Sequence, residues 1–556
     1  MMKQYKEQHI NNVKMRILFL YKIIIGKEQL KTNSDSFVAD IVNDLKTILK
    51  SDYLYVGFIF VVYLFFLYLQ YGRFQRTSYF FENMTFFRIL SFLSFSYLIF
   101  NVCFISVNSL YAKIIERKIL PQKYHLSAYP KTAIIFTIRG ELSGLFERIK
   151  YTLDNNDNPN FDLWILSGKS KNNVLAYEKE VVRRLKAETN TKIYYCHTNN
   201  EKIKKREALD IWLQQHSFEY EYFFICDADS YIPFRTIEKL ILKAEHSANS
   251  KYSIFQAISF GNNLKSFFAY KQSMGIRNTY FLYLVPQFSL FQKTLFIGHN
   301  ALVRVQDFKA LPMPVGKLSH DIWDTVYLEQ SGKSVALCPD VISYEEVPAN
   351  YVEEIKRMKR WCRGNLETLP LIFAKRLSLG IRFQVFYGVY LYSTQIVFLL
   401  VFLSGALRMT MPMWFYFATF SASRYVVFLT VMIIIFFHRL LFFRDVKYLI
   451  TTLTDILYST VVFLNNIVYI SIGIITTPFK GMEWTPMKKD PSATLSKKRI
   501  FITLLPSTAI GIVLMYMGLL YSPYWLLLSI PVVSSFSLGM IMTYLTAQPL
   551  KKELRY

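Results

Sequence analysis

The chain has 556 residues, of which 52% are hydrophobic and 19% charged, and its mean hydropathy is +0.21. A soluble chain carries about a quarter charged residues, and here the apolar excess collects in long uncharged runs, which points to a bilayer rather than to several soluble domains. The net charge of +25 does not signal nucleic acid. The Lys and Arg residues flank the apolar runs, as in loops beside anionic lipid, and no helix-turn-helix, zinc or aromatic RNA-binding signature accompanies them. The five cysteines are scattered without a CxxC pair, which excludes a disulfide framework and fits a reducing compartment.

Residues 1–50 read as a basic cytosolic region. Its apolar stretch Met15–Ile25 contains Arg16 and Lys22 and fits an amphipathic surface helix better than a signal peptide. Two uncharged runs follow, Tyr53–Gly72 and Ile89–Ala112. Each holds the ~20 residues that cross a bilayer core, so residues 51–112 are expected to form a transmembrane hairpin with both ends in the cytosol.

Residues 113–382 change character. Short β-rich pieces (Ala133–Ile138, Phe161–Leu166, Lys192–Cys196, Tyr222–Cys226) alternate with helix-like Glu178–Glu188 and Ile203–Gln215. That alternation predicts βαβ units and a mostly parallel sheet. Beyond it, Phe383–Leu407 reads as a span, and Met409–Phe437 as a second apolar stretch containing Arg424, within a membrane region 383–448. Residues 449–499 include Ile456–Phe479, long enough to cross but carrying Asn465, Asn466 and Pro478. Crossing would also put the basic loop Lys480–Arg499 outside, so the segment is expected to be interfacial or re-entrant. Ile500–Tyr521 and Tyr524–Gln548 form a last hairpin (500–548) before a cytosolic tail (549–556), giving about six spans.

Tyr222–Ser230, YFFICDADS, runs an apolar strand into two carboxylates. Alternation at a strand end puts Asp227 and Asp229 on one side, where open α/β sheets bind ligands. Two carboxylates there suit Mg²⁺ or Mn²⁺ holding a diphosphate. Three further patterns follow in order: FIGHNALVR (Phe296–Arg304), KLSHDIWD (Lys317–Asp324) and EIKRMKRWCRGN (Glu354–Asn365). Singly they read as a polar turn, a helix start and a basic helix face.

In that order after Asp-Ala-Asp they resemble the membrane-embedded family-2 glycosyltransferases, and more narrowly the bacterial glucans biosynthesis glucosyltransferase H family. FIGHNALVR, LSHD, SYEEVPANYVEEIKRMKRWCRGNL and SPYWLLLSIP carry the likeness. The resemblance implies an α/β GT-A (Rossmann-like) cytosolic domain inserted in a multipass α-helical protein of the bacterial inner membrane. It implies inverting transfer of a hexose from a UDP-sugar, glucose from UDP-glucose, to a growing β-glucan that is exported as it grows, with an accessory periplasmic glucan-processing partner. By the same resemblance Asp227 and Asp229 hold the metal and Asp321 is the base. Lys205, Arg206, Arg357 and Arg360 bind the nucleotide sugar, while Trp361, His299, Asn300 and His320 line the acceptor site. Trp484, between basic residues, reads either as a lid on the donor or as a belt tryptophan.

The chain departs from the wider group in four places. Arg357 replaces a glutamine, the base motif is SHD rather than TED, Gly168 stands where a nucleotide-contacting aspartate is usual, and the Lys–Asn element after it is blurred as KKREALD, with Lys204, Lys205 and Arg206. A transferase acting on a lipid-linked acceptor, or a catalytically dead domain serving as transporter or scaffold, are the alternatives.

Overall fold

The computed structural model describes residues 52–76, 85–140, 143–168, 171–200, 203–262, 264–409, 446–476, 495–521 and 523–549. Trp484, the Met409–Phe437 stretch beyond Met409, the basic N-terminal region and the C-terminal tail lie outside the described residues.

Residues 132–346 carry eight strands in one sheet of order β3-β2-β1-β4-β7-β6-β8-β5. These are β1 Thr132–Ile138, β2 Phe161–Ser167, β3 Lys192–His197, β4 Tyr222–Asp227, β5 Ser230–Tyr231, β6 Tyr252–Asn262, β7 Ala301–Arg304 and β8 Ser334–Glu346. The first four pair in parallel through β1, as the βαβ alternation predicts. The second half is mixed: β7 runs antiparallel to β4 and β6, β6 is parallel to β8, and β5 is antiparallel to β8.

The apolar runs of β1, β2 and β4 follow from burial on both faces. Ile134, Phe136, Leu163, Ile165 and Phe224 fill one side, while Ala133, Ile135, Trp164, Leu166, Phe223 and Ile225 fill the other. A strand with period-two side chains and helices on both faces has no polar side to spare. Each large apolar residue so enclosed contributes about 1.5–3 kcal/mol.

The helices used below are α1 Asp52–Arg76, α2 Thr85–Ile114, α3 Asn172–Glu188, α4 Lys205–His216, α5 Phe267–Thr279, α6 His320–Gln330, α7 Tyr351–Leu366, α8 Leu379–Met409, α9 Val446–Thr476, α10 Lys497–Tyr521 and α11 Pro523–Ser537. Helices α1 and α2 pack against each other through ring contacts of Phe60 and Tyr63 with Phe100, at 5.6 and 5.5 Å. Among the described residues three helices are long and apolar enough to cross a membrane: Leu379–Leu400, Thr452–Thr476 and Lys497–Tyr521.

Two apolar segments take definite form. The segment expected to be interfacial or re-entrant belongs to α9, a continuous helix of 31 residues. Both of its asparagines bond to neighbouring helices: Asn465 Nδ2 donates to Ser535 O at 2.8 Å, and Asn466 Oδ1 accepts from Tyr351 OH at 2.8 Å. The last apolar stretch is also divided. α11 ends at Ser537 and a short helix, Gly539–Thr546, resumes after Leu538. α11 packs closely on α10, where a Cβ added to Gly511 would come within 2.7 Å of Phe536 Cβ.

Candidate active site

The strand order reverses between β1 and β4, and ligand crevices open beyond the carboxyl ends of strands at such a point. Asp227 is the last residue of β4 there, and Asp229 follows in a tight turn rather than on the strand. The turn still leaves both carboxylates partly exposed while Ala228 points into the core. The Asp227 amide donates to Ser230 Oγ at 3.1 Å, and Glu346 N donates to Asp229 O at 3.2 Å, so β5 and β8 hold this turn in place.

Lys205, at the start of α4, reaches the same place. Its ammonium bonds the Asp227 carboxylate and donates to Gly298 O at 2.8 Å. Gly298 has φ +90, a region that favours glycine, and Asn300 φ +51; this turn lays the backbone against Asp321. A Cβ at Gly298 would meet Asp321 Oδ2 at 3.5 Å. Asp321 lies in the first turn of α6 and is half-buried. Burial pushes its carboxyl above the usual carboxylate range, against the charges of His320 and Lys205.

Helix α7 brings the third element. Asn350 caps it, its side chain accepting from Glu353 N at 3.1 Å, a geometry that favours the helix start. Gly364 lets α7 approach the loop before Asp321, since a Cβ there would overlap Ser319 Oγ. Arg360 thereby faces the acidic cluster: burial pushes its guanidinium down, opposed by the charges of Asp227, Asp229 and Asp321. Trp361 beside it is 40% exposed. Asp227, Asp229, Asp321, Lys205 and Arg360 thus converge on one crevice, with Trp361 exposed next to Arg360.

Other expected site residues go elsewhere. Arg206 is buried and its Nε lies 3.1 Å from Asp324 Oδ1, with Asp210 also in reach, so a contact of Arg206 with a nucleotide is corrected to a structural ion pair. Arg357 is also buried, 2.8 Å from Glu354 and 4.5 Å from the Trp361 ring centroid. It supports the aromatic residue instead of facing a diphosphate. Asn300 is fully buried with Nδ2 on Ser259 Oγ at 3.0 Å and cannot line an acceptor site. His320 Nδ1 lies 3.2 Å from Asp324 Oδ2, and that contact holds it to α6.

His299 sits among the carboxylates, with Nε2 2.6 Å from Glu345 Oε2 and Nδ1 3.7 Å from Asp227 Oδ2. Burial disfavours its charged form, but Glu345 and Asp227 prevail and raise its pKa to about 9. Glu345 and Thr137, whose hydroxyl is 3.4 Å from Asp227 Oδ1, are site residues that the motifs do not single out. Glu345 is in the SYEE run, at the end of β8 in register with Ser230.

The donor set suits a divalent cation. Two partly exposed carboxylates at a loop end are hard oxygen ligands of the kind Mg²⁺ and Mn²⁺ take. Among the described residues no group of three or more His, Cys, Asp or Glu side chains is arranged to hold a metal ion.

Residues 222–471 match the family described as "Glycosyl transferase family group 2". The chain is 26% identical over 319 residues to the glucans biosynthesis glucosyltransferase H of Pseudomonas aeruginosa PAO1, covering 54% of this chain and 35% of that protein. It is 28% identical over 320 residues to the protein of the same name from Nitrosomonas europaea, covering 53% and 34%. The chain thus spans about a third of the length of the curated relatives it matches. A solved mannosyltransferase from Pyrobaculum calidifontis, in complex with GDP-Man and Mn²⁺, superposes with TM-score 0.48 and 13% identity, over 70% of this chain and 97% of that one. Residues 222–471 thus carry a glycosyltransferase domain of the family-2 group, in a chain that is similar over about half its length to the glucans biosynthesis glucosyltransferases H.

Proposed function

We propose that the chain transfers glucose from UDP-glucose to a growing β-glucan with inversion at the anomeric carbon, from a cytosolic domain (113–382) held between membrane helices of the bacterial inner membrane, and passes the product outward. The observation that carries this reading is the bridge made by Lys205 from Asp227 to Gly298 O, with Asp321 packed against Gly298 and Arg360 within the charge of all three aspartates.

Displacement at an anomeric carbon needs a base on the acceptor hydroxyl and charge compensation on the departing diphosphate. Asp321, with its carboxyl raised by burial, is suited to take the hydroxyl proton. Arg360 and Lys205 would face the diphosphate, and Asp227 and Asp229 would hold Mg²⁺ or Mn²⁺, which supplies Lewis-acid compensation of the diphosphate when bound. Trp361, exposed beside Arg360, offers an apolar face to the acceptor sugar. His299 and Glu345 fix the Asp227 carboxylate from behind.

The test is UDP release by full-length protein incubated with UDP-glucose and Mg²⁺. Activity should vanish with EDTA and in Asp227→Asn or Asp229→Asn protein that still inserts and folds. Full activity in EDTA removes the metal-dependent reading, and absence of UDP release under every condition favours a scaffold. Product length separates a polymer from single additions to a lipid-linked acceptor.

A further inference from the structure

Gly168 follows β2 and offers no side chain to a ligand in the crevice. Ser167 just before it stands in register with His197 at the end of β3, and a chain of hydrogen bonds runs behind them. Ser167 Oγ donates to Glu178 Oε2 of α3 at 2.6 Å, a shorter contact than its 3.2 Å to the Gly168 carbonyl. Tyr195 OH donates to the same Glu178 oxygen at 2.9 Å. His197 Nδ1 lies 3.2 Å from Ser167 Oγ. Glu178 and Ser167 are buried, whereas His197 is half-exposed toward the strand ends.

Counting hydrogens assigns the tautomer. A serine hydroxyl has one proton, and here it is committed to the carboxylate. Toward His197 the serine oxygen can only accept, so Nδ1 carries the hydrogen. Nε2 of the neutral imidazole is then an acceptor. The location suits one end of a nucleotide. Two strand spacings, about 10 Å, separate β3 from β1, whose Thr137 touches Asp227, and a ribose with two phosphates spans that reach.

We infer that His197, oriented by Ser167 and Glu178, reads the nucleobase of the donor and selects a base with a ring imino N–H, uracil or guanine. This rests on the proposed nucleotide-sugar reading and deepens it. Uracil N3 and guanine N1 are donors that meet Nε2. Cytosine N3 and adenine N1 are acceptors, and would set two lone pairs against each other. A site built to bond one N–H rejects the analogue lacking it more strongly than the bond itself is worth, because both groups lose water without replacement. Arg139 lies beside Gly168, 3.4 Å from where a Cβ would stand, in ordinary contact that leaves room for a small side chain.

The experiment is titration calorimetry of the full-length protein in detergent with Mg²⁺ and UDP, GDP, CDP, ADP or N3-methyl-UDP. Either UDP or GDP should bind at least about tenfold tighter than CDP and ADP, and which of the two binds tighter identifies the base. Where UDP is preferred, N3-methylation should remove the advantage. His197→Ala should lower UDP affinity about tenfold, to the level of CDP, with CDP unchanged. Ser167→Ala, which frees the tautomer, should erode the same ratio. Gly168→Asp in the His197→Ala background should restore it by supplying another acceptor. Equal binding of UDP and N3-methyl-UDP by the wild type overturns the inference without recourse to any variant, as does an unchanged UDP/CDP ratio in folded His197→Ala protein. Binding of no nucleotide overturns the transferase reading along with it, a pattern distinct from binding without base preference.

Discussion

Arg357 lies against Trp361, its Cζ 4.5 Å from the ring centroid, with its charge held 2.8 Å from Glu354 Oε2. The three residues are successive turns of one helix face, at i, i+3 and i+7 from Glu354. Arg357 is 6% exposed, so the cation and ring meet where water screens little, and such contacts are worth about 0.5–2 kcal/mol. Arg357→Gln, combined with Glu354→Gln so that no buried charge is orphaned, should loosen Trp361 and lower glycan synthesis by about 3- to 30-fold. UDP binding should stay unchanged. A matching loss of UDP affinity would show that Arg357 reaches the donor after all.

Lys205 and Arg206 are adjacent, yet they do different work. Side chains one residue apart on a helix point about 100° apart, so when Lys205 faces Asp227, Arg206 turns to Asp324 under α6. Arg206→Met leaves the fully buried Asp324 with only its contact to His320, and breaking such a buried pair costs about 3–5 kcal/mol. The melting temperature should fall clearly. Lys205→Met should leave stability nearly intact and weaken UDP binding. Thermal unfolding and calorimetry on the same two proteins check this, and the opposite pattern reverses the assignment.

This pair also shows what the sequence can convey. The Asp227–Asp229 turn and Asp321 are legible because their signals are local: an apolar strand runs straight into two carboxylates, and an aspartate stands in the first turn of a helix. Which of two neighbouring cations faces a ligand is not legible, since it depends on the rotation of α4 about its axis, set by Asp324, 118 residues away. Glu345 and Glu346 pose the same problem on a strand. Alternation sends one to His299 and the other to Arg148, at 2.6 and 3.1 Å, and only the pairing of β8 with β5 and β6 decides which. Asn300 reads as a ligand because it follows Gly298-His299; its left-handed backbone and buried amide show that it builds the turn instead.

The pH profile tests the base. Asp321 must be ionised to accept a proton, and burial holds its carboxyl above the ordinary range of about 4. Activity should therefore fall as pH drops through that raised value, with the acid limb of kcat/KM above an ordinary carboxylate's. His320 lowers the Asp321 pKa by its charge, so His320→Gln should move the limb to higher pH. Asp321→Asn should cost at least about 100-fold in rate with UDP binding kept. A limb that does not move with His320, or near-normal turnover of Asp321→Asn, takes the role away from Asp321.

Helix α9 is long and apolar enough to cross a membrane, and its apolar side packs on α10 and α11, yet its polar partners lie on the α/β domain, from which we expect it to lie along the membrane face. Asp455 near one end forms an ion pair with Lys271 of α5. Asn466 bonds Tyr351 of α7. Gly473 near the other end is so close to α7 that an added Cβ would stand 3.3 Å from Lys359 Cγ. From Asp455 to Gly473 the helix rises about 27 Å at 1.5 Å per residue, close to the thickness of the hydrocarbon core. A helix spending that rise on crossing could not touch the α/β domain at both ends. The start of α10 agrees, since Arg499 lies 2.5 Å from Glu353 of α7. On that reading both ends of α9 are expected on the side of the α/β domain. A single cysteine at Thr485, in a background lacking the five native cysteines, should be labelled by an impermeant maleimide only in inside-out vesicles. Labelling in right-side-out vesicles would mean that α9 crosses, and the role of Trp484 as a cover over the bound donor would fall with it.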